Sequence, residues 1–192
     1  PLIARAETIK INCLNESDFL TDLVQTLKKT KIKLLLISFP HNPTTLTVDQ
    51  VFYDNLIELA EKYNFLIVND FAYSDIYFGG NKPPSLLSSD KSLSHSIELY
   101  SLTKGFSMAG WRVGFAVGNK DAISSVTKLK SYIDYGTFQP IQIASTVALN
   151  ELEEYPFELS SVYKERRELI VENLEDLNFS VQESTATMFV WA

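Results

Sequence analysis

Apolar residues in this chain come in two rhythms, short unbroken runs and repeats of three to four, and their alternation predicts strands interleaved with helices. Lys33-Leu34-Leu35-Leu36-Ile37-Ser38-Phe39 is an apolar run closed by Pro40, whose missing N–H ends a ladder, so a buried strand is expected there. Thr47-Val48-Asp49-Gln50 has capping-box spacing and predicts a helix with Thr47 at its N-cap. Phe52, Leu56, Leu59 and Tyr63 give that helix one apolar face, and Asn64 ends it. Phe65 to Val68 is a second buried run, which completes a strand–helix–strand unit with a crossover long enough for parallel pairing.

Ile97 to Tyr100 and Val113 to Val117 read as third and fourth strands. Only about a dozen residues separate them, too few for a comfortable parallel crossover, so the fourth is expected antiparallel and the sheet mixed. Asn119 can cap a helix whose apolar face is Ile123, Val126, Leu129 and Ile133, broken near Gly136. After a loop at Phe138-Gln139-Pro140, Ile141 to Leu149 and Phe157 to Leu177 read as helices, the second charged enough to be a solvated connector ending at Asn178. Phe179 to Gln182 and Thr187 to Trp191 are the last strand candidates.

Composition narrows the function classes. With 45% hydrophobic and 21% charged residues over 192 positions, the chain has the make-up of a globular protein of one domain, or of one domain and part of another. A net charge of -7 with scattered basic residues argues against nucleic acid as a partner. One cysteine, Cys13, and two histidines, His41 and His95, assemble neither an internal disulfide nor a zinc site, which favours a reducing cytoplasm and no metal. No apolar run approaches the ~20 residues of a membrane span. The chain starts at Pro1 without Met and stops at Ala192 just after an apolar stretch, and is read as a fragment.

Ligands of open α/β sheets bind beyond the carboxyl ends of the strands. Three polar groups fall there: His41-Asn42-Pro43-Thr44, Asp70-Phe71-Ala72-Tyr73 and Ser101-Leu102-Thr103-Lys104. Alone, each has an ordinary reading: Asn42 as a turn before Pro43, Asp70 as a cap, Lys104 as a solvated lysine, and Arg112 as one half of a surface ion pair. Ser-x-x-Lys also matches penicillin-binding serine enzymes, but their Ser-Asp-Asn and Lys-Thr-Gly partners are missing. His41 and His95 read as bystanders and Trp111 as packing, while Lys164 to Glu168 reads as a solvated helix face. Asn15-Glu16-Ser17 and Asn178-Phe179-Ser180 match a glycosylation pattern that a cytoplasmic chain would not use.

Taken together, Asn42-Pro43-Thr44, Asp70-x-Ala72-Tyr73, Ser101-x-x-Lys104 and Gly110-Trp111-Arg112-Val113-Gly114 resemble, in order and spacing, the class I/II aminotransferases that use pyridoxal 5′-phosphate. The likeness runs from about Leu34 through Ala192 and is closest to aspartate-type and LL-diaminopimelate-type enzymes. It implies a three-layer α/β/α fold with a mostly parallel sheet and one antiparallel strand. Residues 1–155 would be the C-terminal part of the large cofactor-binding domain, and 156–192 the connecting helix and first strands of a truncated small α+β domain.

It also implies roles. Lys104 is similar to the lysine that holds the cofactor as a Schiff base and then moves the substrate's α-proton. Asp70 is similar to the carboxylate that pairs with the pyridinium nitrogen, and Asn42 and Tyr73 to the donors facing the phenolic oxygen. Ser101 and Arg112 are similar to its phosphate ligands. The implied activity moves an amino group from an amino acid to a 2-oxo acid, both small-molecule substrates, in a homodimer. Gln139 lies in a loop that reaches toward a neighbouring subunit in such dimers. The same residues serve lyases and synthases of this fold, and cofactor-binding sensor domains of transcriptional regulators, so those readings stay open.

The chain departs from the family pattern at Thr45, where glycine usually follows Asn-Pro-Thr, implying a subgroup or a differently shaped turn. The family's Gly-rich phosphate loop, aromatic stacking residue and substrate-carboxylate arginine have no counterpart here. The chain alone is therefore expected to be inactive.

Overall fold

The computed structural model describes residues 3–192. The chain divides into two compact units, residues 1–32 and 33–192.

The first unit carries a helix that the hydrophobic pattern left unassigned, α1 (Glu16–Lys29). Its signals are nonetheless local. Asn15 accepts from the Asp18 N–H at 2.8 Å as N-cap, Glu16 and Asp18 lie at the positive end of the helix, and Lys28 and Lys29 at the negative end. Phe19, Leu23 and Leu27, four apart, make its buried stripe. The asparagine that matches a glycosylation pattern is thus a cap.

In the second unit a four-stranded sheet has the order β1 (Leu34–Ile37), β2 (Leu66–Asp70), β3 (Ser96–Ser101) and β4 (Gly114–Gly118). The first three strands are parallel and β4 is antiparallel to β3, as the short connection requires. Register puts Leu35 beside Ile67, Ile37 beside Asn69, and Asn69 beside Glu98, so these side chains share one face. On the opposite face Leu34 and Leu36 stand 52% and 67% exposed.

Helix α2 (Gln50–Tyr63) joins β1 to β2 and differs from expectation at its start and in its face. Asp49, not Thr47, is the N-cap, with its Oδ1 accepting the Phe52 N–H at 2.8 Å. A carboxylate gains from the positive helix end where a hydroxyl gains less, and Thr47 instead meets the Thr185 hydroxyl at 3.0 Å. Gln50 turns to Ser89 and closes no capping box. The buried face is Phe52, Tyr53, Leu56, Ile57 and Ala60, while Leu59 and Tyr63 sit at its margin. Phe52 packs edge-on to Phe39, and the Tyr53 hydroxyl accepts from Asn69 Nδ2 at 3.1 Å, which rotates the helix by one position. Asn64 closes the helix in the left-handed conformation.

Between β3 and β4 lies a single helical turn, α3 (Leu102–Gly105). Beyond β4 come α4 (Lys120–Ile133), capped by Asn119, then α5 (Gln139–Glu151) and α6 (Tyr155–Asp176). The apolar stripe of α4 is largely uncovered: Val126, Leu129 and Ile133 are exposed. Trp111, expected to pack, is likewise exposed. No strand forms at 179–182 or 187–191. The two segments meet through a Gln182 N–H to Trp191 carbonyl bond of 2.8 Å, and Ala186 makes an isolated bridge to Tyr77. A lone pair of short strands is too weak a ladder to persist without neighbours. No helix among the described residues is long and apolar enough to cross a membrane.

Candidate active site

The carboxyl ends of three adjacent parallel strands deliver the candidate residues to one edge of the sheet. β1 runs out into the loop bearing Asn42, β2 ends at Asp70, and β3 ends at Ser101, where α3 begins and presents Lys104 two residues beyond its first position. Both the Phe39–Pro40 and Asn42–Pro43 peptide bonds in the first loop are cis.

Asn69 fixes how β1 leaves the sheet. This side chain is 0% exposed, accepts the Phe39 N–H at 3.1 Å, and donates to Tyr53 and, at 3.4 Å, to Glu98. Glu98 in turn accepts from the Ser85 hydroxyl at 2.7 Å and the Leu86 N–H at 2.8 Å. Burial pushes the Glu98 carboxyl up, and these donors oppose the shift. The polar chain through the core therefore ties the Asn42 loop to β2 and β3, since each member would be left unsatisfied by another path.

The loop itself closes on His41. Its N–H donates to the Leu46 carbonyl at 2.9 Å, and its carbonyl accepts the Thr45 N–H at 3.0 Å. Closing so tightly puts Thr45 at φ 63°, a left-handed backbone in which a β-branched residue is strained. The turn thus has the shape a glycine would favour, although the residue is threonine. Thr45 is 1% exposed, and its hydroxyl has no partner among the described residues. His41 Nδ1 lies 2.7 Å from the Thr44 hydroxyl, and burial lowers the ring's pKa.

Three of the six candidates make direct contact. Asn42 Nδ2 donates to the Tyr73 hydroxyl at 3.2 Å, and Lys104 Nζ stands 5.7 Å from the centre of the Tyr73 ring. Burial raises the Tyr73 phenol, the Asn42 hydrogen bond pulls it down, and the nearby Asp70 charge pushes it up again. Asp70 is exposed; its Oδ1 accepts the Ala72 N–H at 3.2 Å. Lys104 is half-buried and, among the described residues, has no carboxylate partner.

Ser101 and Arg112 are joined only through the backbone. Ser101 caps α3 by accepting the Thr103 N–H at 3.2 Å, and its hydroxyl lies 3.5 Å from the Val113 carbonyl. Pairing of Ser101 with Gly114 brings the exposed Arg112, two residues earlier, to the same end of β3. Arg112 Nη1 donates to the Ala109 carbonyl at 2.9 Å and has no ion-pair partner among the described residues. Gln139 opens α5 and is exposed.

Residues outside the motifs also shape the site. Phe189 packs edge-on against Tyr73 with ring centres 5.2 Å apart, a contact with no local signal in the sequence. Asp75 is buried, pairs with Lys82 at 3.0 Å, and accepts from the Tyr100 hydroxyl. A hydrophilic residue at the fifth position after a strand end reads as loop. Two cavities, of about 420 and 320 Å³, lie elsewhere and are lined by none of the six candidates.

This donor set suits pyridoxal phosphate. A half-buried amine and a guanidinium, neither with an ion-pair partner among the described residues, a phenol–amide pair, a hydroxyl and a strand-end carboxylate are chemically compatible with its carbonyl, phosphate, phenolic oxygen and ring nitrogen.

The family model for aminotransferase class I and II matches residues 3–192. Glutamate-pyruvate aminotransferase AlaC of Escherichia coli is 36% identical over 100% of this chain and 47% of its own length. An LL-diaminopimelate aminotransferase of Halothermothrix orenii is 38% identical over 100% of this chain and 50% of its own. Among solved structures, apo-BacF from Bacillus subtilis superposes with a TM-score of 0.89 at 33% identity, covering 100% of this chain and 49% of that one. A probable N-succinyldiaminopimelate aminotransferase from Thermus thermophilus gives a TM-score of 0.78 at 30% identity, over 83% and 43%. The chain spans about half the length of the curated relatives it matches.

Proposed function

This chain belongs to the class I and II aminotransferases, and on that premise we propose that it carries the cofactor-holding part of an enzyme that moves an amino group from an amino acid to a 2-oxo acid. The observation that supports this most is the Asn42–Tyr73 hydrogen bond with the Lys104 amine over the tyrosine ring, without a carboxylate partner among the described residues, all at neighbouring strand ends. Residues 1–155 form the cofactor-domain part in this reading, and 156–192 begin a second domain. The full-length protein acts in the cytoplasm as a homodimer on small-molecule substrates.

Pyridoxal phosphate, when bound, supplies an electron sink for negative charge at the substrate's α-carbon. Lys104 would hold the cofactor through Nζ, and the same amine would accept and return the substrate's α-proton. Asp70, exposed at its strand end, would pair with the ring nitrogen. Asn42 and Tyr73 would face the phenolic oxygen, and their mutual hydrogen bond holds the two side chains together. Ser101 and Arg112 would take the phosphate, the arginine through its planar fork.

Full-length protein trapped with borohydride in the presence of pyridoxal phosphate should carry the reduced cofactor on Lys104, and Lys104→Ala should carry none. Trapping at another lysine would sink the assignment. Release of pyruvate and ammonia without an oxo-acid acceptor would replace transamination by β-elimination. A DNA-binding module encoded beside this fold would favour the sensor reading.

A further inference from the structure

We propose that Asp75 is a positioning residue for Lys104, setting the placement of α3 from beneath; the inference rests on the reading of Lys104 given above. Four elements converge on this one residue. Its carboxylate accepts from the hydroxyl of Tyr100, the residue before Ser101 on β3. Its other oxygen pairs with Lys82 at 3.0 Å, which pins the loop following Gly79 and Gly80. Its backbone carbonyl accepts from Ser160 of α6 at 2.8 Å in a buried bond. Its side chain lies directly against Gly105, the neighbour of Lys104.

The last contact explains the glycine. A Cβ on Gly105 would stand 2.7 Å from Asp75 Oδ2 and 2.8 Å from Asp75 Cβ, closer than real contacts allow. The backbone of α3 therefore rests on the aspartate, and the height of that turn over β3 is set by what occupies residue 75. Lys104, one residue away and reaching toward Tyr73, inherits the setting. A buried carboxylate is an expensive spacer unless its partners are fixed. Here the tyrosine and the lysine hold the carboxylate, and the serine holds the backbone carbonyl of the same residue, which makes the support rigid. Asn42 and Asp70 reach the site from β1 and β2, whereas Lys104 is carried by the turn that rests on Asp75, with Ser101 as its cap.

The test uses full-length protein and compares Asp75→Ala, Asp75→Asn, Gly105→Ala and Tyr100→Phe with the parent. In cofactor-free protein, acetic anhydride labelling gives the rate at Lys104 relative to the exposed Lys128 of α4. Asp75→Ala and Gly105→Ala should change that ratio by about threefold or more, since the amine moves against its surroundings, and Tyr100→Phe should change it in the same direction. Asp75→Asn, which keeps an oxygen for Tyr100, should stay within about twofold. In loaded enzyme kcat should fall roughly ten- to a hundredfold for the first two, with KM little changed, because misplacement of about 1 Å acts on the reacting geometry.

An unchanged labelling ratio in folded Asp75→Ala and Gly105→Ala would overturn the proposal, as would Asp75→Asn behaving like the alanine variant. Should those two fail to fold, an unchanged ratio in Tyr100→Phe overturns it. Borohydride trapping on the parent separates the two levels of the argument. Absence of cofactor on Lys104 removes the functional reading and this inference together, whereas trapping with unchanged ratios removes this inference alone.

Discussion

Replacing Thr45 by glycine should stabilise the protein, a reversal of the usual effect of putting glycine into a buried position. Thr45 is held at φ 63° by the two bonds that close the loop on His41, and its hydroxyl is buried without a partner among the described residues. Left-handed backbone costs an L-residue about 1–2 kcal/mol. A buried orphan hydroxyl costs about 1–3 kcal/mol. Against this relief stand the lost burial of two carbons, about 1.6 kcal/mol, and the extra chain entropy of glycine, about 0.5–1 kcal/mol. Relief of about 2–5 kcal/mol less losses of about 2.1–2.6 kcal/mol leaves a gain centred near 1 kcal/mol. With a urea m-value of about 2–3 kcal/mol/M, the unfolding midpoint followed by circular dichroism should rise by about 0.3–0.5 M at unchanged m. Thr45→Val separates the contributions: it relieves the orphan hydroxyl, about 1–3 kcal/mol, without the burial and entropy losses of glycine, and keeps the strained β-branch, so its midpoint should also rise. A midpoint for Thr45→Gly equal to or below that of the parent would refute the reasoning. It would mean either that the hydroxyl is satisfied in solution or that the loop does not hold residue 45 left-handed.

Three further outcomes follow from the geometry. Asp49→Ala should lower stability by about 1 kcal/mol while Thr47→Ala changes it by less than half as much, because only Asp49 caps α2; equal losses in urea unfolding would restore the capping box. Burial alone would raise the Asp90 carboxyl, but hydrogen bonds from His95, Ser96, Ser92 and Ser94 outweigh it and hold it below the ordinary aspartate value. A carboxyl depressed in the folded state adds stability that is present above its unfolded value and is lost as pH falls through the folded one. The gap in urea midpoint between parent and Asp90→Asn should therefore be wide at neutral pH and narrow below about pH 4; a gap independent of pH would contradict the linkage. Finally, purified 192-residue chain should show little or no transamination, and Lys104→Ala in full-length protein should lower kcat by about 10²–10⁴-fold from proton transfer alone. Substantial turnover by the short chain would show that the segments beyond it are dispensable.

The sequence by itself determined the local features. The strand runs at Leu34, Leu66 and Ser96, the stop at Asn64, the cap at Asn119 and the antiparallel turn of β4 all follow from residues within a few positions of each other. So does the placing of Asn42, Asp70, Tyr73, Ser101 and Lys104 near strand ends, because a strand's end is marked by where its apolar run stops; the structure makes Asp70 and Ser101 the last strand residues, where the sequence put them just past the run. Helix α1, unassigned from the sequence, carries local signals of the same kind in its Asn15 cap and four-residue apolar spacing. What only the tertiary structure decided are the choices between neighbours that local chemistry treats as equal. Thr47 and Asp49 both satisfy an N-cap, and Thr185 takes one of them away. Leu59 and Tyr53 both suit an amphipathic helix, and Asn69 selects the tyrosine. Phe189 on Tyr73 and Asp75 beneath Gly105 leave no trace in any window of sequence. The physical reason is that periodicity and capping satisfy backbone groups within a turn or two, whereas burial and polar pairing depend on which distant surface arrives opposite, and that is fixed only when the sheet has formed.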